Sequence, residues 1–374
     1  MANKINHLIE VYEQLSQQNQ DCVLATIVET FGSTYQKASA RMLITTEGEL
    51  IGLLGGGCFE RDLIEQAHSV FETGQAKTVF YDMRASEDVV WGLGLGCNGA
   101  VKVFLQKLTH AQSFEPLQTL ISSTNDNIKG VMVTVIESSH PDFPAGYNLF
   151  VPTDTTNNQK ILTNAPFPFA NATLHTIAHQ KPHIETHVIN QHTIKAFYEP
   201  VQPSLRLLIV GAGTDAIPLT QFAKTLGWHV TVIDHRPGFI VKARFQNANQ
   251  LLNVIPERLN DLELNQFSAT VLMSHNFDYD QRYLQALTDS DIQFIGLLGP
   301  TQRKIKLLQG LGADASKIAP RVFGPVGLAI GAETPEEIAL SIMAGIHAEL
   351  YKCNGLQLNT VATPPDRSSE YAQR

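Results

Sequence analysis

The chain has 374 residues, 43% of them hydrophobic and 17% charged, with 27 Lys and Arg against 36 Asp and Glu. That length exceeds what one core usually supports, so two domains are expected, and the apolar content excludes wholesale disorder. A formal charge of −9 argues against a protein that coats nucleic acid or an anionic membrane. Cys22, Cys58, Cys97 and Cys353 form no C-x-x-C pair and are too few for a disulfide framework, which suits a reducing, cytoplasmic location. No apolar run with basic flanks opens the sequence, and none reaches the roughly 18 residues of a membrane span.

Ile5, Leu8, Ile9, Tyr12 and Leu15 recur at helical spacing and predict an amphipathic first helix. Cys22 to Glu29 is β-branched and apolar and ends at a Phe31-Gly32-Ser33 turn. Arg41 to Thr45 and Leu50 to Leu54 follow as strands around a glycine-containing turn at 46–49. Gly55-Gly56-Gly57-Cys58 then opens a helix over Phe59 to Glu72, striped by Leu63, Ile64, Ala67 and Val70. Lys77 to Tyr81 and Val101 to Leu105 read as strands, and between them lies a second glycine-rich loop carrying Cys97.

Residues 111–200 are less regular. Strands are expected at Val131 to Ile136 and Ile184 to Val188, a helix at Ala170 to Gln180, and a polar loop at Thr153 to Lys160. Two prolines within 199–204 read as a linker between an N-terminal mixed α/β domain (1–198) and a second domain (205–354). Beyond it strand and helix alternate: Leu205 to Val210, Ala216 to Leu226, His229 to Ile233, Ala269 to Met273, Gln281 to Leu287, Phe294 to Leu298 and Thr301 to Leu311. Such alternation predicts βαβ units on a doubly wound parallel sheet. A last helix starts at Pro335, and the polar stretch 355–374 reads as a disordered tail.

Two sets of residues carry chemistry. In the first, Gly211, Gly213 and Ala216 fit the G-x-G-x-x-G/A pattern between a buried strand and a helix. Gly211 permits the turn, Gly213 lets backbone approach a pyrophosphate, and the helix N-terminus favours the anion. Asp234, at the end of the next strand, is placed to bind a ribose hydroxyl, and His275 to act as acid or base. Asp215 works against this pattern, since it is placed to cap the helix and to repel a phosphate from the same amides. Arg236 either accepts a phosphate or pairs with Asp234. The same glycines also serve a Rossmann-like fold whose nucleotide site is empty or reused.

In the second set, Cys58 follows Gly55, Gly56 and Gly57 at a helix start, where a thiol pKa falls and thiolate chemistry or metal ligation is favoured. Glu60 lies in the same first turn. Cys97, preceded by Gly92, Gly94 and Gly96 and followed by Asn98-Gly99, has a similar setting. The alternative for each thiol is a small buried hydrophobe; Cys22 and Cys353 read as structural in that sense. Four-ligand zinc spacing is absent from the sequence.

The assembled motifs resemble the XdhC/CoxI family, maturation factors for xanthine dehydrogenase and related molybdenum hydroxylases. The resemblance rests on Gly32-Ser33, Ala40-Arg41-Met42-Leu43, Gly55-Gly56-Gly57-Cys58-Phe59-Glu60 and Gly96-Cys97-Asn98-Gly99. It continues through Gly211-Ala212-Gly213, Asp234-His235-Arg236, Ser274-His275, Gly296-Leu297-Leu298-Gly299, Gly324-Pro325-Val326-Gly327-Leu328 and Thr334-Pro335-Glu336-Glu337. It implies a cofactor chaperone rather than an enzyme: a protein that binds the molybdenum cofactor (molybdopterin or its dinucleotide form), supports its sulfuration and delivers it to a xanthine dehydrogenase-type molybdoenzyme. A cysteine desulfurase is the further partner implied, and a homodimer is the default assembly. Cys58 and Cys97 become candidate contacts to molybdenum or its sulfido ligand, with Arg41 and Glu60 as neighbouring polar contacts. Thr214-Asp215, Asn98, Ala329 and Gly345 depart from the commoner family pattern. The competing expectation is an NAD(P)-dependent oxidoreductase built on Gly211, Gly213, Ala216, Asp234 and His275.

Overall fold

The computed structural model describes residues 6–57, 59–84, 99–153 and 168–357. The chain divides into two compact units, with the break between Pro203 and Ser204. Among the described residues no helix is long and apolar enough to cross a membrane.

In the first unit, α1 (Asn6–Gln17) buries Leu8, Tyr12 and Leu15, spaced i, i+4, i+7 on one face. β1 (Cys22–Gly32), β2 (Arg41–Thr45), β3 (Leu50–Gly52), β4 (Lys77–Asp82) and β5 (Gly99–Leu108) form an antiparallel sheet in the order β3-β2-β1-β5-β4. The helix α2 (Glu60–Thr73) covers one face with Leu63, Ala67 and Val70, which pack with Val23, Ala25 and Ile27 of β1. Gly74 ends α2 in the left-handed conformation, where a glycine meets no Cβ penalty. On the other face Leu24, Leu43 and Leu108 meet α1 and α3 (Leu117–Asn125).

A second antiparallel sheet, β7-β6-β9-β8, contains β6 (Gly130–Ser138), β7 (Asn148–Pro152), β8 (His183–Ile189) and β9 (His192–Val201). The helix α4 (Ala170–His179) packs on it through Ala172. β9 corrects the expected linker at 199–204, because Glu199, Pro200 and Val201 are its last residues and pair with Met132, Val131 and Gly130 of β6. The proline is tolerated because β8 reaches no further than His183, opposite Tyr198. Past that point β9 has a neighbour on one side only, and an absent N–H is admissible at an edge. Of the expected polar loop at 153–160 only Thr153 is among the described residues, and of the expected tail only 355–357.

The second unit is a six-stranded parallel sheet in the order β12-β11-β10-β13-β14-β15. Its strands are β10 (Arg206–Val210), β11 (His229–Asp234), β12 (Gln250–Asn253), β13 (Ala269–Leu272), β14 (Phe294–Leu297) and β15 (Val322–Phe323). Counted within the unit this is 3-2-1-4-5-6, the doubly wound Rossmann order. β10 is flanked by strands on both sides and its last four residues are buried, hence its uninterrupted apolar run. α5 (Ala216–Thr225) and α9 (Pro335–Leu350) pack on one face through Leu219, Ala223, Ile342 and Ile346. α6 (Phe277–Ala286) and α7 (Thr301–Gly310) cover the other with Tyr283, Leu284 and Leu307; a single turn, α8 (Ala315–Ile318), adds Ile318.

Candidate functional site

Sheet register directs the described residues that flank the two glycine–cysteine segments towards one end of the first unit's five-stranded sheet. β1 ends at Gly32, opposite Gly99, the first residue of β5. β4 runs antiparallel to β5 and ends with Asp82 opposite Ala100, so the segment bearing Cys97 leaves and re-enters the sheet at that end. β2 runs down from it, with Arg41 opposite Thr26, and β3 climbs back to Gly52 opposite Met42. The Gly55–Gly57 turn is therefore reached from the same end. Cys58 and Cys97 themselves lie outside the described residues.

The turn itself is tied down. Glu60, the first residue of α2, accepts the Gly55 N–H at 2.8 Å with one carboxylate oxygen and the Phe59 N–H at 3.2 Å with the other. It therefore neutralises amides at a helix start, where an acidic residue is electrostatically favoured. A Cβ on Gly55 would collide with the Phe59 ring, whereas Gly57, at φ +96°, has open space around it. Phe59 stacks on Tyr81 with centroids 4.6 Å apart, and the Tyr81 hydroxyl donates to Asp62 at 2.7 Å. Burial, then Asp62, pushes the Tyr81 phenol above its ordinary range. At this end of the unit Phe31, Tyr35, Leu53 and Phe80 are exposed, with Phe31 edge-on to Phe80 at 6.0 Å. The sequence did not mark them as a group, since Leu53 and Phe80 sit in expected strands where apolar letters look like core, and Phe31 and Tyr35 fall in or beside an expected turn.

Arg41 is placed differently from its expected role as a phosphate clamp. It is 5% exposed, and its guanidinium donates to Glu199 of β9 and to the Ser39 carbonyl. The pair is enclosed: the Arg41 Nε, one Glu199 oxygen and the Ser39 hydroxyl have no hydrogen-bond partner among the described residues. A phosphate would have to displace a buried carboxylate to reach it. Glu199 escaped notice because a charged residue beside proline reads as linker.

In the second unit, Gly211 adopts φ +119°, and a Cβ there would collide with the Met273 carbonyl at the end of β13. Ala216 is fully buried, as close helix–sheet packing requires. Asp234 does not present a free carboxylate. One oxygen accepts the Ala212 N–H and an Arg236 nitrogen, each at 2.8 Å, and the other accepts the Arg236 backbone N–H and Nε. Burial opposes its ionisation, but these bonds, those from Arg236 foremost, hold it below the ordinary carboxylate range. Arg236 thus pairs with the aspartate and lies over the Phe239 ring at 3.7 Å.

Asp215 does not cap α5. Its φ and ψ of −69° and −19° are helical, whereas a side-chain cap requires an extended residue, and its carboxylate instead meets His275 Nε2 at 2.8 Å. His275 is exposed and holds φ +58°, uncommon for a residue with a Cβ. Next to it Ser274 donates to buried Asp280, which also accepts Arg303 at 2.8 Å. The Arg303 side chain crosses Gly299, where a Cβ would obstruct it. Only the fold reveals this relay, since its members are spread over 30 residues.

Cys22 is buried in the first unit's core, where desolvation pushes its thiol up to about 12. Cys353 is exposed just past α9, so the reading of it as a buried hydrophobe is corrected. Among the described residues no three His, Cys, Asp or Glu side chains converge as a metal site.

A mixed α/β unit with a glycine turn at the start of α2, joined to a Rossmann-like unit, defines the class of protein. The XdhC and CoxI family model matches residues 15–82, and the XdhC Rossmann domain model matches 207–346. The chain is 34% identical over 338 residues to a Bacillus subtilis protein named as a probable xanthine dehydrogenase component, spanning 89% of this chain and 94% of that one. It belongs to the XdhC and CoxI family. It is also 23% identical over 339 residues to the Escherichia coli protein YqeB, of which it spans 44%. A crystal structure of a Bacillus halodurans protein described as a xanthine dehydrogenase superposes with a TM-score of 0.72, at 28% identity and 98% coverage of both chains.

Proposed function

We propose that this chain is an accessory factor of a xanthine dehydrogenase-type molybdoenzyme that binds molybdopterin, supports its sulfuration and hands it over. The observation that supports the reading is the register of the five-stranded sheet, which directs the strand ends flanking the Cys58 and Cys97 segments towards one end of it. Two soft thiolates at one end of a sheet suit a sulfur-ligated molybdenum centre as cargo. Glycine on the N-terminal side of Cys58 leaves room for a bulky ligand beside the backbone, and Glu60 keeps that turn in place. Family membership and the name of the Bacillus subtilis relative support a xanthine dehydrogenase-type partner. A cysteine desulfurase is the sulfur source this chemistry calls for.

The chain's own part is to bind, orient and shield. Thiolates hold the metal end of the cofactor, while Phe31, Tyr35 and Phe80 offer flat apolar surface to a conjugated ring. Arg41 is engaged as half of a buried ion pair with Glu199 and is left out of the set that contacts the cargo. An NAD(P)-dependent oxidoreductase is the weaker reading, because Asp234 already has four protein donors.

The test is to purify the protein from molybdenum-replete cells, assay bound pterin by fluorescence, and measure activation of apo-xanthine dehydrogenase. Wild type should carry pterin, and Cys58→Ala and Cys97→Ala should each lower both pterin content and activation by about tenfold or more, the loss of roughly one metal–thiolate contact. Pterin-free wild type, with both variants activating the apoenzyme equally well, would sink the proposal.

A further inference from the structure

The second unit has the strand order, glycine turn and acidic strand end of a dinucleotide-binding fold, yet its own side chains fill the places a dinucleotide needs. We infer that Asp215, held by His275 across the Gly211–Gly213 turn, is the specificity-determining residue that bars pyrophosphates from this unit.

Five observations converge. The space that Gly213 leaves by lacking a side chain, which in such folds admits a pyrophosphate, is taken by a carboxylate: a Cβ built there would collide with an Asp215 oxygen. His275, 60 residues away and on the neighbouring strand's loop, fixes that carboxylate through a 2.8 Å bond. Asp215 is also the residue preceding the first turn of α5, so its charge answers the same amide dipoles that would otherwise attract phosphate. The ribose position is closed as well, since Asp234 is saturated by Ala212 and Arg236. Finally, His235 stacks on Tyr279 with centroids 3.8 Å apart and planes within 13°, bridging the elements that follow β11 and β13 across the end of β10. Dinucleotides lie across that crevice in this fold.

The unit therefore takes neither NAD(P) nor a dinucleotide form of the cofactor. This goes beyond the chaperone reading and does not depend on it: the probes are ADP and NADH, and no pterin is needed.

The experiment measures ADP binding by calorimetry and NADH binding by fluorescence on the full chain. Wild type should show no saturable binding up to about 1 mM. Asp215→Gly removes both charge and bulk and should bind ADP at least about tenfold tighter than wild type, more weakly as salt rises. Asp215→Asn keeps the shape and should gain a smaller share, which covers the case in which glycine unsettles the helix. His275→Ala frees the carboxylate without removing its charge and should gain less ADP affinity than Asp215→Gly; a gain as large would overturn the assignment to Asp215. Micromolar NADH or ADP binding by wild type overturns the inference, as does a lack of any gain in both Asp215 variants when their circular dichroism and melting match wild type.

Discussion

At the scale of single residues, His229 is the group whose burial most clearly couples folding to pH. It opens β11 partly buried, and desolvation, then Arg206 and Lys224, pushes its imidazole down to about 4. The unfolded chain binds a proton near pH 6.5, so the unfolded form takes up more protons through the interval between these values. Stability from this residue is complete above about pH 6.5 and is lost as the pH falls towards 4. His183 and His187 are shifted down by desolvation as well and add to the same acid loss. Melting at about pH 7.5 and 4.5 should show a smaller difference for His229→Gln than for wild type. An unchanged difference would mean that the imidazole does not titrate on unfolding.

At the scale of elements, α9 combines a strong start with a tight crossing. Thr334 accepts the Glu337 N–H while the Glu337 side chain accepts the Thr334 N–H, a capping box completed by Pro335 at the first helical position. This start was legible, because the Thr-Pro-Glu-Glu string states it locally. The role of Gly345 was not, because its reason lies 18 residues earlier: a Cβ there would stand 3.0 Å from the Gly327 Cα. Alanine is worth up to about 1 kcal/mol over glycine in a helix, but overpacking against backbone costs about 1–3 kcal/mol. Gly345→Ala should therefore lower stability by about 1 kcal/mol in urea denaturation, and a stabilised variant would show that the crossing has slack. β9 teaches the same lesson: proline in 199–204 argued for a linker by local rule, and the strand forms because β6 supplies a partner and β8 stops short.

At the scale of the whole molecule, two units with separate cores predict that unfolding departs from a single two-state transition. Arg41→Ala provides the probe, because it strands Glu199 in the first unit without touching the second. Loss of one partner of a buried ion pair costs about 3–5 kcal/mol. In calorimetry one component should move down sharply while the other holds its position. A uniform shift of the whole transition would show that the two units melt as one.

The sequence by itself determined the doubly wound sheet of the second unit, the starts of α5, α7 and α9 and the glycine turn at Gly211. Those depend on contacts within a few residues: a buried apolar run, a cap, a positive φ at Gly211. By contrast, α6 begins at Phe277, four residues before the expected Gln281, and α3 was not foreseen. Tertiary structure alone decided what the polar residues do, because a charge's role depends on which distant group faces it. Arg41, read as a phosphate contact, is enclosed with Glu199, 158 positions away. Asp215, read as a helix cap, answers His275, 60 positions away. Asp234, read as a ribose ligand, answers Ala212, 22 positions back, and Arg236, for which the sequence had left pairing and phosphate binding both open. For Arg41, Glu199 and Asp234 burial makes an unmatched charge too costly to keep, so each is held by the partner the fold brings to it, whereas Asp215 meets His275 at a more open position.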